Sequence, residues 1–232
     1  MAGQVSRAGA PLLRPAFSRN NVFTNTLEKQ GWVAAPLKKF FVAAAIDAGE
    51  LQKELDAFPF VKPRLGLQGL FVRECRYRLS GVPVIDSRSV AISLEAIKDY
   101  ANLLKWISNA PFLMPSSASP DEAYGMVLIK YTEGPVRLPL HSDENFSHIV
   151  MGAINSGPNK GLNRVFTRHP FHIDCSYNSF YNQKSPLVVS TDGNLLGLKQ
   201  ASTVHDLFFP GNIGIKTERY VVIVGRGELI EP

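Results

Sequence analysis

From residue 125 onward the chain consists of short apolar runs divided by turn residues: "GMVLIKY", "VRLPLH", "SHIVMGAI", "NRVFTR", "SPLVVST", "NLLGLKQ", "STVHDLFF" and "ERYVVIVG". Runs this short, rich in Val, Ile, Leu and Phe and separated by Gly, Asn and Pro, read as closely spaced strands. The pattern predicts an antiparallel sandwich or jelly roll rather than a parallel sheet.

The first half has a different period. In "IDAGELQKELDAF" Asp47 stands as N-cap with Glu50 three residues on, and Leu51, Leu55 and Phe58 follow at i, i+4 and i+7, which predicts a short amphipathic helix. "SLEAIKDYANLLKWISNA" predicts a longer one, capped by Ser93, with Leu94, Ile97, Ala101, Leu104 and Ser108 on one stripe flanked by Tyr100, Leu103 and Ile107. "PFLMPSSASPDE" is a loop between the halves. The expected fold class is therefore α+β, a double-stranded β-helix (jelly-roll) core with N-terminal helices packed outside it. Residues 1–25 contain Arg7, Arg14 and Arg19 and no acid, and are expected to form a mobile basic arm. Residues 26–120 form a helical region and 121–232 the core, with 26–232 as one folded unit.

Two cysteines, Cys75 and Cys175, are too few for a disulfide framework, so a reducing compartment, cytoplasmic or nuclear, is expected. The acid-poor arm also suits organelle targeting. No apolar run approaches the roughly 18 residues of a membrane span, so a soluble chain, with a monomer favoured, is expected. The net charge of +5 comes from the N-terminal half. Its densest part holds Lys62, Arg64, Arg73, Arg76, Arg78 and Arg88, with Phe71 and Tyr77 among them. Cations interleaved with aromatics suit phosphates and stacked bases, although a solvated basic face has the same composition.

"RLPLHSDENF" ends a strand-like run in His141, one spacer and Asp143. In extended chain these two side chains share a face, as two ligands of one metal must. A jelly roll brings its early and late strands together, which makes His205 in "ASTVHDLFFP" the candidate third ligand. Two histidines and one carboxylate form a facial triad that leaves three cis positions open and favours non-haem Fe(II). Zinc would accept the same ligands plus water, but no positioned general base accompanies them. Arg219, one strand beyond His205, offers a planar cationic fork for the distal carboxylate of 2-oxoglutarate. A second His-x-Asp, His172 and Asp174 in "HPFHIDC", sits in a polar, loop-like stretch, and His141 with Asp143 is preferred.

These residues resemble the AlkB-like family of Fe(II)- and 2-oxoglutarate-dependent dioxygenases over roughly residues 40–228. The matching pieces, in family order, are "KPRL", "YRLSG", "LIKY", "HSDEN", "VHDLF" and "RYVVIVGR". The resemblance implies Fe(II), 2-oxoglutarate and O₂ as cofactor and co-substrates, with His141, Asp143 and His205 on iron. It further implies Arg219 on the distal carboxylate, Tyr131 hydrogen-bonded to the co-substrate and Arg226 close by. Tyr77 and Ser80 match a nucleotide-recognition lid within 26–120, and Arg76, Arg78 and Asn145 join them as substrate-binding residues. Arg219 and Arg226 are an odd seven positions apart and would face opposite sides of a regular strand, unless Gly225 hosts a bulge. Leu79 replaces the lid's second aromatic, and Glu144 with Asn145 follows the iron-binding Asp.

The activity implied is oxidative demethylation of N-alkylated bases in single-stranded or flipped-out RNA or DNA, a repair chemistry. Some family members act on proteins, and the loss of the lid aromatic suits that substrate. From another class altogether, a metal-free jelly-roll nucleic-acid-binding or capsid-like protein with a basic arm would account for the N-terminus but leaves the series His141, Asp143, His205 and Arg219 unexplained.

Overall fold

In the computed structural model, described over residues 21–63, 69–79, 90–115, 122–132, 135–143, 145–155, 157–167, 187–210 and 218–227, two antiparallel sheets face each other and helices cover the outer face of the larger one. The strands are β1 (Trp32–Pro36), β2 (Leu70–Arg78), β3 (Ala123–Tyr131), β4 (Val136–His141), β5 (His148–Asn155), β6 (Leu162–Thr167), β7 (Leu187–Ser190), β8 (Asn194–Lys199), β9 (Thr203–Phe209) and β10 (Arg219–Arg226). The larger sheet runs β1-β8-β5-β10-β3-β2 and the smaller β4-β9-β6-β7. This is the α+β jelly roll expected, and each of the eight apolar runs forms a strand.

Burial explains which runs are continuous and which alternate. β5 and β10 lie in the middle of the larger sheet and are covered on both faces, so "HIVMGAIN" and "RYVVIVGR" are apolar nearly throughout. Between the sheets, Ile149, Met151, Leu196 and Leu198 pack on Val165 and Val189, and Tyr131 and Val221 on Leu207 and Phe209. On the other face Met126, Leu128, Val150, Val222 and Val224 meet Phe40, Phe41, Leu51, Leu55 and Trp106 of the helices.

The helices are α1 (Val22–Gln30), α2 (Leu37–Ala43), α3 (Ala48–Ala57) and α4 (Ala101–Asn109). Asp47 caps α3 as expected, its carboxylate accepting from the Glu50 N–H at 2.9 Å. Three features depart from the sequence expectation. First, β1 and β2 lie within the region expected to be helical and form the two edges of the larger sheet, and α1 begins inside the stretch expected to be a mobile arm. Second, the long helix from Ser93 is broken into a 3₁₀ turn (Leu94–Ile97) and α4. The break has a tertiary cause. The Glu54 carboxylate of α3 accepts from the backbone N–H groups of Asn102 and Leu103, both at 2.9 Å, and so creates a new helix start. Third, α4 buries Leu103, Trp106 and Ile107 rather than the stripe through Ala101 and Leu104.

Among the described residues no helix is long and apolar enough to cross a membrane. Residues 1–20, Arg64, Ser80, Arg88, Glu144 and the second His-x-Asp at His172 and Asp174 lie outside the described residues.

Candidate metal centre

His141 closes β4, an edge strand interrupted by Pro139, which has no N–H to contribute to a ladder. The pairing of β4 with β9 shifts between Leu138 and His141, and beyond the shift His141 stands directly opposite His205. Their rings are 4.4 Å apart. Asp143 is not in the strand, as its spacing from His141 suggested, but in the turn that follows. That turn is held from both ends: the Asp143 N–H donates to Gln200 Oε1 at 2.9 Å, and the Phe146 N–H donates to the Asp143 carbonyl at 2.8 Å.

The three side chains surround a gap and are not bonded to one another. His141 Nε2 lies 4.0 Å from one Asp143 oxygen and His205 Nε2 lies 3.7 Å from the other, beyond hydrogen-bond range. Within the set, one ligand atom from each residue falls within 4.8 Å of the others. His141 Nδ1 is 2.7 Å from the Pro139 carbonyl, which fixes the proton there and leaves Nε2 as the lone-pair donor. Burial, with the charge of His141 added, pushes the His205 imidazole down to about 3, so it is neutral at physiological pH, as a metal ligand must be. Burial also raises the Asp143 carboxyl, an effect the neighbouring His141 opposes. Asp143 Oδ2 and His205 Nδ1 are buried without a hydrogen-bond partner. A buried carboxylate oxygen with no donor is costly, and a divalent cation between two imidazoles and that carboxylate removes the cost. The donor set thus fits a metal.

A cavity of about 110 Å³ opens from this cluster between the sheets. Its walls are apolar, with Val127, Ile129, Met151, Leu207, Val221 and Ile223, and Arg219 forms part of its lining. Arg219 is fully buried, flanked by the rings of Tyr131 and Phe209 at 5.2 and 5.4 Å. Its Nε donates to both oxygens of Asp192, at 3.1 and 3.2 Å, and its Nη2 donates to Thr191 Oγ1 at 2.8 Å. Nη1 has no partner. Tyr131, also on the lining, has its phenol raised to about 12 by burial and stays protonated.

The structure therefore brings together His141, Asp143, His205, Arg219 and Tyr131. Two other expected residues are elsewhere. Arg226 points to the opposite face of β10, pairs with Glu122 and donates from Nη1 to the Pro115 carbonyl at 2.5 Å. Gly225 hosts no bulge, since β10 keeps an unbroken register with β3 and β5 through Arg226, so the odd spacing from Arg219 decides the facing. Tyr77 is a core residue, fully buried, stacked on Tyr124 and donating to the Ile107 carbonyl at 2.7 Å. Arg76 and Arg78 do lie on the cavity side of the larger sheet, beside Gly125 and Ala123 of β3, and Asn145 is exposed next to Phe146. Sequence reasoning missed Asp192, Thr191 and Gln200. "TDGN" falls in the gap of turn residues between two apolar runs; it carries the chain from β7 of the smaller sheet to β8 of the larger, with Gly193 in the left-handed conformation at φ 86°.

No protein-family model and no curated protein matches the sequence. Solved structures do resemble the chain in three dimensions. They include the Fe(II)/α-ketoglutarate-dependent dioxygenase TqaL, with 10% identity, a TM-score of 0.61 and coverage of 90% of this chain and 87% of that one. A bsmA homolog from Methylobium petroleophilum has 10% identity and a TM-score of 0.61 over 95% and 97% of the two chains. An oxidoreductase of the 2OG-Fe(II) oxygenase family from Burkholderia pseudomallei has 15% identity and a TM-score of 0.52 over 94% and 95%. Identities this low establish likeness of fold alone, a jelly-roll core in common.

Proposed function

We propose that the protein is an Fe(II)- and 2-oxoglutarate-dependent oxygenase. The observation that carries this reading is one cavity lined by a two-histidine, one-carboxylate cluster and by a buried arginine with an unpartnered N–H group. His141, Asp143 and His205 would hold Fe(II), which with bound 2-oxoglutarate and O₂ supplies oxidative decarboxylation to succinate and CO₂ coupled to hydroxylation of a substrate C–H bond. Arg219 Nη1 offers a hydrogen bond to the distal carboxylate, and the Tyr131 hydroxyl, protonated throughout the physiological range, donates beside it. The aliphatic walls exclude water from the reacting centre.

For the substrate we propose an N-alkylated base in single-stranded RNA or DNA, whose hydroxylated methyl group leaves as formaldehyde. Support comes from Arg76 and Arg78, two cations on the cavity side of edge strand β2, and from the exposed amide of Asn145 near Phe146. The burial of Tyr77 favours a second reading, a protein substrate for the same chemistry, because it removes an aromatic from base recognition.

Succinate release from 2-oxoglutarate under Fe(II) and ascorbate, with and without an oligonucleotide carrying N1-methyladenine or N3-methylcytosine, tests both levels. The expected result is turnover stimulated by the methylated strand and abolished in Asp143→Ala, with that variant's circular dichroism unchanged. Turnover without stimulation removes the nucleic-acid substrate and retains the oxygenase. A folded, iron-loaded sample without turnover removes the oxygenase.

A further inference from the structure

Arg219 is more tightly constrained than a simple anion site requires. Asp192 accepts from its Nε with both oxygens and, through Oδ2, from the Gly161 N–H at 2.6 Å. Thr191 Oγ1 takes Nη2 and also accepts from Asn163 Nδ2 at 3.3 Å. A Cβ on Gly161 would lie 2.5 Å from Nη2, so backbone covers the guanidinium on that side, while the Tyr131 and Phe209 rings flank it elsewhere. Arg219 is 0% and Asp192 7% exposed, so this is a buried ion pair with one nitrogen, Nη1, left over.

The pair is neutral overall. Among the described residues, a dicarboxylate entering the cavity meets no net positive charge at this end, but one directed N–H group and the hydroxyl of Tyr131. We propose that Asp192 is a positioning residue for 2-oxoglutarate: with Thr191 it holds the guanidinium so that Nη1 alone is presented, and the distal carboxylate is recognised by hydrogen-bond direction rather than by charge. This inference rests on the co-substrate reading given above. It extends that reading to two residues of the β7–β8 turn and to the manner in which the site discriminates.

The sign of one substitution separates direction from charge. Asp192→Asn removes the compensating anion. A site working by charge would then bind 2-oxoglutarate more tightly, whereas a site working by position would bind it less tightly, since the amide cannot accept from Nε and from Gly161 as the carboxylate does. The experiment is calorimetric titration of the full chain, loaded with Mn(II), with 2-oxoglutarate and with 2-oxobutanoate, which lacks the distal carboxylate. The expected result is a loss of about tenfold or more in 2-oxoglutarate affinity in Asp192→Asn, with 2-oxobutanoate affinity unchanged. Thr191→Val, which removes only the Nη2 acceptor, is expected to show a smaller loss with the same selectivity, and stands in if Asp192→Asn does not fold. Tighter or unchanged 2-oxoglutarate binding, or equal losses for the two acids, overturns the positioning role and leaves the oxygenase reading intact. Failure of the unsubstituted protein to prefer 2-oxoglutarate over 2-oxobutanoate overturns both.

Discussion

At Gly225 the larger sheet makes room for an aromatic ring. A Cβ there would sit 2.3 Å from the Phe146 ring, whose own N–H closes the turn that carries Asp143. Gly225→Ala is therefore expected to lift Phe146 and shift the carboxylate, costing about 1–3 kcal/mol by overpacking and weakening metal affinity by about tenfold or more. Urea denaturation and Mn(II) titration check the two effects. The same scale shows what a sequence can disclose. His141, Asp143 and His205 were legible as candidates because a metal favours these side-chain types brought to one point, although Asp143 reaches it from the turn after β4 and not from the strand, and Arg226 could be doubted from parity alone. Asp192 was not, because an Asp followed by Gly between two apolar runs is already explained by the turn that joins them. Its second role depends on Arg219, 27 residues away in the chain.

Among the elements, the expected helix starts succeeded where the cap is local and failed where it is not. Asp47 lies three residues from the N–H it accepts, whereas Glu54 is 48 residues from Asn102. Glu54→Ala leaves the first N–H groups of α4 without an acceptor beneath packed side chains and is expected to destabilise the fold by about 1–2 kcal/mol, read as a lower urea midpoint with an unchanged slope. Glu54→Gln, which retains one acceptor oxygen, should lose less. β1 and β2 escaped notice for a related reason. "WVAAP" is short and contains Pro, and "LFVRECRYR" carries four charges, yet each needs only one neighbour because it lies at a sheet edge.

Over the whole molecule, the packed layers bury imidazoles that in a free chain titrate near neutrality. His148 opens β5 and faces Glu28 of α1 at 3.5 Å. Burial first, then the positive charge of Arg226, pushes its imidazole down to about 4, against the opposing pull of Glu28. The unfolded chain binds this proton from about pH 6.5 downward and the native chain only near 4, so native stability falls as pH drops through that window. His205 adds to the fall and the raised Asp143 carboxyl partly offsets it. Metal-free protein should therefore show urea midpoints that decline between pH 6.5 and 4. In His148→Gln the decline should be shallower without vanishing, because His205 still contributes.

The turn that supplies Asp192 and Thr191 follows β7, a strand of four residues that among the described residues pairs with β6 alone at the margin of the smaller sheet, and the turn itself is tied to β5 by the Ala153 N–H donating to the Thr191 carbonyl at 3.0 Å. Arg219, fully buried, thus takes its counter-ion from a turn held between an edge strand and a central one. An opening that lifts this turn off β5 takes from Arg219 its counter-ion and its Nη2 acceptor together, and gives water access to a charge that cannot be neutralised. Fraying of the β7 margin alone leaves the turn on β5, so loss of the Arg219 cradle is a larger local unfolding event, whose free energy sets how often that end of the cavity is fully formed.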